Sequence, residues 1–110
     1  MKAVVVAASL IGITGVALAA SDFEGTWNVK DTGGKAFQIV LSSGGGAMDI
    51  RGDGMTGNWK EEGNAAVIRW DTGWVTKIVK GAGGYKKMAY RKGQALDSAP
   101  ANSSEAEKVK

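Results

Sequence analysis

Glycine-bearing clusters divide the chain at short intervals, and this punctuation constrains the fold more than any other feature. The clusters read TGG, SGGG, RGDG, EEGN and GAGG, and the chain holds 17 glycines in all. Between the clusters apolar and polar residues tend to alternate, and beyond residue 20 no helical periodicity is visible. This pattern is typical of short antiparallel strands that are joined by tight turns.

The alternation predicts seven strands, at residues 25–30, 36–42, 47–51, 56–61, 65–70, 74–80 and 85–91. Each has one mainly apolar face, and the short loops between them favour a meander. We therefore predict an all-β fold: an antiparallel meander of about seven strands forming a small barrel or strongly curved sheet. This domain spans residues 21–93. The polar residues 94–110, which hold the only proline, are predicted to be a flexible tail.

The inward face of each strand is assigned to its more apolar side. The predicted inward residues are Trp27, Val29, Phe37, Ile39, Leu41, Met48, Ile50, Trp59, Ala66, Ile68, Trp70, Trp74, Thr76, Ile78, Met88 and Tyr90. The predicted outward charged residues are Asp49, Arg51, Arg69, Lys77, Lys87 and Arg91. Trp27, Trp59 and Trp70 are interpreted as core residues, because large aromatic rings dominate core energetics. Trp74 follows a turn at the barrel rim and is kept as a candidate contact residue.

The first 20 residues, MKAVVVAASLIGITGVALAA, have a different composition from the rest. Lys2 is followed by 18 uncharged residues that end in Ala17-Leu18-Ala19, a layout typical of a cleaved secretory signal. The same stretch reaches the lower length limit for a retained membrane anchor, although the Ala-x-Ala ending favours cleavage. Both readings predict an extracytoplasmic protein, periplasmic or secreted, of a bacterial envelope. Contact with the membrane is expected only through residues 1–20 if they stay uncleaved.

Histidine and cysteine are both absent, which removes disulfides, the usual metal ligands other than carboxylates, and the His-dependent catalytic triads. The triplet Asp-Thr-Gly, a feature of aspartic proteases, occurs at residues 31–33 and 71–73. Each copy falls at a strand end, where hairpin turns select Asp and Gly. We interpret both as turns and predict a non-enzymatic protein with no cofactor and no metal.

Charge is unevenly distributed along the chain. The net charge of +3 is too small to indicate nucleic-acid binding, but no acidic residue occurs between Asp71 and Asp97, where six Lys and Arg residues lie. A local basic field attracts anionic partners. The first functional hypothesis is therefore an accessory binding module that docks an anionic envelope component or a protein partner through a basic outer sheet face. The candidate binding residues are Arg69, Trp74, Lys77, Lys87 and Arg91.

The stretch FEGTWNV places Gly25-x-Trp27 on the first strand, ahead of a turn and a second apolar strand. This start resembles the up-and-down barrels of the lipocalin and avidin type, and the chain is similar to small secreted β-domains of bacterial envelopes. The resemblance implies that Trp27 plugs the closed end of a barrel. It also supplies the alternative function, a lipocalin-like carrier of a small apolar ligand, with a pocket lined by Trp59, Trp70 and Tyr90. An interior void of a few hundred cubic ångströms would favour the carrier.

Overall fold

Eight antiparallel strands close into a barrel. The computed structural model describes residues 21–51 and 54–109, so the predicted signal or anchor segment, 1–20, lies outside the described residues. The strands are β1 Gly25–Lys30, β2 Ala36–Leu41, β3 Gly46–Ile50, β4 Met55–Glu62, β5 Ala65–Trp70, β6 Val75–Gly81, β7 Gly84–Tyr90 and β8 Asn102–Lys108. They follow chain order around the ring, and β8 pairs with both β7 and β1.

The predicted all-β antiparallel meander is therefore confirmed, with a closed barrel as its form. An eight-stranded up-and-down barrel is compatible with the lipocalin and avidin type that the first strand resembles. Within the described ranges no helix is both long and apolar enough to cross a bilayer.

Strand β8 corrects the prediction that residues 94–110 form a flexible tail. Ala106 pairs with Tyr85 on β7, and the far end of β8 pairs with β1. The strand was missed because Ala106 is its only buried residue, so no apolar alternation marks it in the sequence. Backbone pairing explains its place: a seven-stranded sheet would leave two edges with unpaired N–H and C=O groups, and β8 pairs with both.

The connections fall at two ends of the barrel. Residues 42–45, 63–64 and 82–83 make the turns of one end, which we call the closed end. The β1–β2, β5–β6 and β7–β8 connections, residues 31–35, 71–74 and 91–101, lie at the other end, which we call the mouth, where β3 also ends and β4 begins. Both Asp-Thr-Gly triplets thus lie in turns at the mouth, as their interpretation as turns predicted.

An aromatic plug fills the closed end. Trp27 is fully buried, its ring centre lies 4.8 Å from that of Tyr85, and Phe23 meets Tyr85 edge-on at 5.8 Å. The indole Nε1 of Trp27 donates a hydrogen bond of 2.8 Å to the carbonyl of Phe23. This bond fixes residues 21–24 across the barrel end and satisfies the one polar atom of the ring. Trp27 thus occupies the place that the barrel resemblance implied.

The predicted inward faces are confirmed for β1, β2, β5 and β6, whose buried residues include Val29, Ile39, Leu41, Ala66, Ile68, Trp70, Thr76 and Ile78. The predicted face of β3 is wrong. Asp49, expected outside, is 2% exposed, whereas Met48 and Ile50, expected inside, are 50% and 53% exposed. The more apolar side of β3 was predicted to face inward, and this prediction failed because the inward side carries the carboxylate of Asp49.

The predicted face of β7 is wrong as well. Lys87 and Ala89 are buried and face the lumen, and Met88 lies on the other side of the strand. Tyr90 is buried, but on the outside of the sheet beside Lys77, whose ammonium lies 5.4 Å from its ring centre. Lys77 in turn donates to the carbonyl of Leu96. The connection between β7 and β8 therefore covers Tyr90 from outside.

Candidate functional site

A cavity of 410 Å³ occupies the mouth half of the barrel. It extends from the mouth turns, at Thr32 and Thr72, into the lumen as far as Ile39 and Thr76. We call it the mouth cavity. The aromatic plug fills the opposite half of the barrel, whereas the rings of the mouth half, Phe37, Trp70 and Trp74, line the cavity wall.

Aromatic and aliphatic side chains form one part of the wall of the mouth cavity. Trp70 is buried, and its indole Nε1 donates a hydrogen bond of 2.8 Å to the hydroxyl of Thr76. Trp74 is half-buried at the rim between β5 and β6, and Phe37 lines the cavity from β2. Because the polar atom of Trp70 is satisfied within the wall, its ring presents an apolar surface to the lumen.

Arg51 connects two carboxylates at the mouth. Its guanidinium lies 2.9 Å from Asp49 Oδ2 and 3.2 Å from Asp31 Oδ2, and it stacks 3.7 Å above the centre of the Phe37 ring. A planar guanidinium can serve two acceptors and an aromatic face at once. Two of the five N–H donors of Arg51 are therefore engaged by carboxylates of the protein itself.

Asp31 is held by the turn that it starts. Its Oδ1 accepts hydrogen bonds of 2.9 Å from the backbone N–H groups of Gly33 and Lys35. The bond from Lys35 is the main reason why the pKa of Asp31 is below its usual value, and the charge of Arg51 lowers it further. This aspartate, from the first Asp-Thr-Gly triplet, thus orders a turn and positions Arg51.

Asp49 lines the mouth cavity and has one buried oxygen that no donor of the described residues reaches. Its Oδ2 binds Arg51, but Oδ1 is buried and has no hydrogen-bond partner among the described residues. Burial raises the pKa of Asp49, and the neighbouring Arg51 opposes that rise. A buried carboxylate oxygen without a hydrogen-bond donor destabilises the folded state, because its desolvation is not compensated. A donor placed beside this atom would therefore be favourable.

Lys87 crosses the lumen as a buried cation. It is 2% exposed, its ammonium donates to the amide oxygen of Asn102, and it lies 5.9 Å from the ring centre of Phe37. No carboxylate of the described chain forms an ion pair with it. Burial, together with the charge of Arg51, lowers the pKa of Lys87 to about 8, and Asp31 partly offsets this. At neutral pH the side chain is still mainly protonated.

The residues predicted to bind a partner do not lie on one surface. Lys87 and Trp74 line the mouth cavity. Arg69 lies outside the barrel, 3.6 Å from Glu62, and Lys77 is half-buried against the β7–β8 connection. Arg91 is exposed just beyond β7. The basic outer face that these residues were expected to form is therefore not assembled, because Lys87 points inward.

Of the three residues proposed to line a carrier pocket, only Trp70 does so. Trp59 donates its indole N–H to the carbonyl of Ser42 at the closed end, and Tyr90 lies outside the sheet.

Sequence reasoning missed Asp49 and Arg51 as cavity residues. The register of the β2–β3 hairpin carried the signal: Ile39 pairs with Asp49, and Leu41 pairs with Ala47. Directly paired residues share a face of the sheet, so the inward prediction for Ile39 required Asp49 to face inward too.

Comparisons with protein-family models, with curated proteins and with solved structures found no match to this chain. Within the ranges that the structure describes, no group of three or more acidic side chains could hold a metal ion.

Proposed function

We propose that this protein is a non-enzymatic carrier that binds a small, largely apolar ligand in the mouth cavity, in the manner of lipocalin-like barrels. The single observation that supports this most is the cavity itself, 410 Å³ in volume and walled by Phe37, Trp70 and Trp74. Ligand sites are usually concave, mainly apolar and a few hundred cubic ångströms in volume, with a small number of polar groups that fix orientation. The mouth cavity fits this description.

The carrier is preferred to the docking module because of where the cations lie. Docking was expected to use Lys77 and Lys87 together on an outer face, but the ammonium of Lys87 is inside the lumen and that of Lys77 is engaged by Leu96. A barrel that is plugged at one end and hollow at the other suits the enclosure of a molecule. The signal-like segment 1–20 supports an extracytoplasmic carrier.

A variant that fills the mouth cavity tests this function. Ala89 lines the cavity, so Ala89→Phe should occupy the ligand volume, and Ala89→Leu should fill it in part. The matched control is Ala82→Phe in an exposed turn at the closed end. The neutral probe 2-naphthol, titrated while the indole N–H resonances are followed by NMR, should shift Trp70 and Trp74 in the wild type and in the control variant, but not in Ala89→Phe.

The native ligand can be sought in parallel by extraction of the purified full chain and mass spectrometry. A small molecule enriched with the wild type and lost with Ala89→Phe supports the carrier. If neither 2-naphthol nor its carboxylate analogues 2-naphthoate and 6-hydroxy-2-naphthoate shift Trp70 or Trp74 in the wild type, or if 2-naphthol shifts them equally in Ala89→Phe, the mouth cavity is not a binding site.

A further inference from the structure

Resting on the proposed function, we infer that the ligand is a small organic anion that also carries a hydrogen-bond donor on an apolar body. Its anionic group binds the ammonium of Lys87, and its hydroxyl or N–H donates to Oδ1 of Asp49. Each half of this inference rests on a different side chain, and the two side chains come from opposite walls: β3 and β7 are four positions apart in the ring of eight strands.

The anionic group is inferred from Lys87. An ammonium has three N–H donors, and the hydrogen bond that the described residues provide for the ammonium of Lys87 goes to the neutral amide of Asn102. Charge is rarely buried without an opposite charge, because desolvation is expensive. The two carboxylates of the cavity, Asp31 and Asp49, are both already bound to Arg51. A ligand anion would therefore be the direct ion-pair partner that Lys87 lacks among the described residues.

The donor is inferred from Asp49. Asp49 lines the mouth cavity, and its Oδ1 is buried and is not reached by any donor of the described residues. Arg51 does not serve this atom, because its two hydrogen bonds go to Oδ2 of Asp49 and to Asp31. A site with an unpaired buried acceptor discriminates strongly in favour of a ligand that supplies the donor.

The cavity also argues against a simple cationic amine. Such a ligand would satisfy Asp49 but would have to enter a lumen that already contains the ammonium of Lys87 and the guanidinium of Arg51, both near the ring of Phe37. Like charges in a low-dielectric site repel strongly. The apolar body of the ligand is assigned to the wall that Trp70 and Trp74 provide.

Three naphthalene probes separate the two halves of the inference. They are 6-hydroxy-2-naphthoate, with an anion and a donor, 2-naphthoate, with the anion alone, and 2-naphthol, with the hydroxyl alone. Isothermal titration at pH 7 should give the tightest binding for 6-hydroxy-2-naphthoate, at least tenfold tighter than for 2-naphthoate. Equal affinity for all three probes would overturn the inference, because neither polar group would then contribute.

Variants assign each preference to its residue. Lys87→Met and Lys87→Gln should lower the affinity for both naphthoates at least tenfold and leave the affinity for 2-naphthol within about twofold of the wild type. The control Lys86→Met removes an exposed neighbouring lysine and should leave all three affinities unchanged. Asp49→Asn should remove the advantage of 6-hydroxy-2-naphthoate over 2-naphthoate. Circular dichroism verifies folding, and Lys87→Gln supplies a polar replacement if Lys87→Met perturbs the barrel.

The outcomes distinguish this inference from the proposed function. Suppose that the wild type binds the probes and Ala89→Phe does not, but that Lys87→Met keeps full affinity for 2-naphthoate. This result would support the carrier function and contradict the assignment of the ligand anion to Lys87. If the hydroxyl advantage survives in Asp49→Asn, the donor assignment falls. If the wild type binds none of the three probes, both the inference and the carrier function are overturned.

Discussion

At the scale of single residues, Lys87 makes the stability of the barrel depend on pH. Its pKa is about 8 in the folded protein, compared with an ordinary value of 10.5. Below pH 8 the side chain is protonated in both the folded and the unfolded chain, and the full cost of burying its charge is present. Between pH 8 and 10.5 the unfolded chain binds more protons than the folded one, so the contribution of this residue to the free energy of unfolding rises with pH. Above 10.5 the cost is gone.

We predict that Lys87→Met stabilises the protein at pH 7. One pKa unit corresponds to about 1.4 kcal/mol, so the gain should be roughly 1–3 kcal/mol at pH 7 and should shrink as the pH rises from 8 to 10.5. Urea unfolding of the wild type and the variant across this range measures the difference, in which other titrating groups cancel. Lys86→Met, at an exposed position, is the control. If the difference in free energy of unfolding between Lys87→Met and the wild type stayed constant from pH 7 to 10.5, the charge of Lys87 would not be the cause of the stabilisation.

Trp27 belongs to the same scale because one side chain fills the closed end. Its ring is fully buried, contacts Phe23 and Tyr85, and bonds the carbonyl of Phe23. Trp27→Ala should therefore lower the free energy of unfolding by about 3–5 kcal/mol, as large-to-small core substitutions of tryptophan do. The control Trp74→Ala removes a half-buried indole at the mouth and should cost less than half as much. Equal losses at both positions would contradict the assignment of Trp27 as the plug.

At the scale of elements, alternation predicted where most strands run but not always which side faces inward. It succeeded on β5 and β6, where apolar residues such as Ile68 and Ile78 face the core. It failed on β3 and β7, whose inward sides carry Asp49 and Lys87. These two strands line the mouth cavity from opposite walls, so the failures have one cause: the cavity is lined by buried charged side chains, which inverts the usual polarity of its strands. Such conflicts are expected at functional sites.

Strand β8 was not predicted because Ala106 is its only buried residue, so it lacks apolar alternation. The same residue provides a test of barrel closure. Ala106 is 4% exposed and packs in the core cluster, so Ala106→Asp would bury a charge without a partner and should cost about 3–5 kcal/mol. Amide hydrogen exchange should accelerate on β1 and β7, which flank β8. The control Ser103→Asp, on the exposed outer side of the same strand, should leave exchange unchanged. Unaltered protection of β1 in Ala106→Asp would show that β8 does not hold the ring closed.

At the scale of the whole molecule, the two ends of the barrel differ in what fills them. The closed end holds an aromatic plug around Trp27, and the mouth holds a cavity with Arg51 and Lys87 among its polar groups. The sequence indicated the plug through Gly25-x-Trp27. It did not indicate most of the lining of the cavity, because residues from seven separate strands build it, and only the closed ring brings Phe37 and Lys87 together.

This asymmetry predicts that ligand binding stabilises the whole barrel. A ligand that binds only the folded state raises the free energy of unfolding by RT ln(1 + [L]/Kd), about 2.7 kcal/mol at a concentration of 100 Kd. Urea unfolding with 6-hydroxy-2-naphthoate at 100 times its measured Kd should give this increase for the wild type. At the same probe concentration Ala89→Phe should show no increase, and Ala82→Phe should behave as the wild type. Because the cavity exists only when β1 to β8 form one ring, calorimetric binding without any gain in stability would place the probe outside the folded lumen.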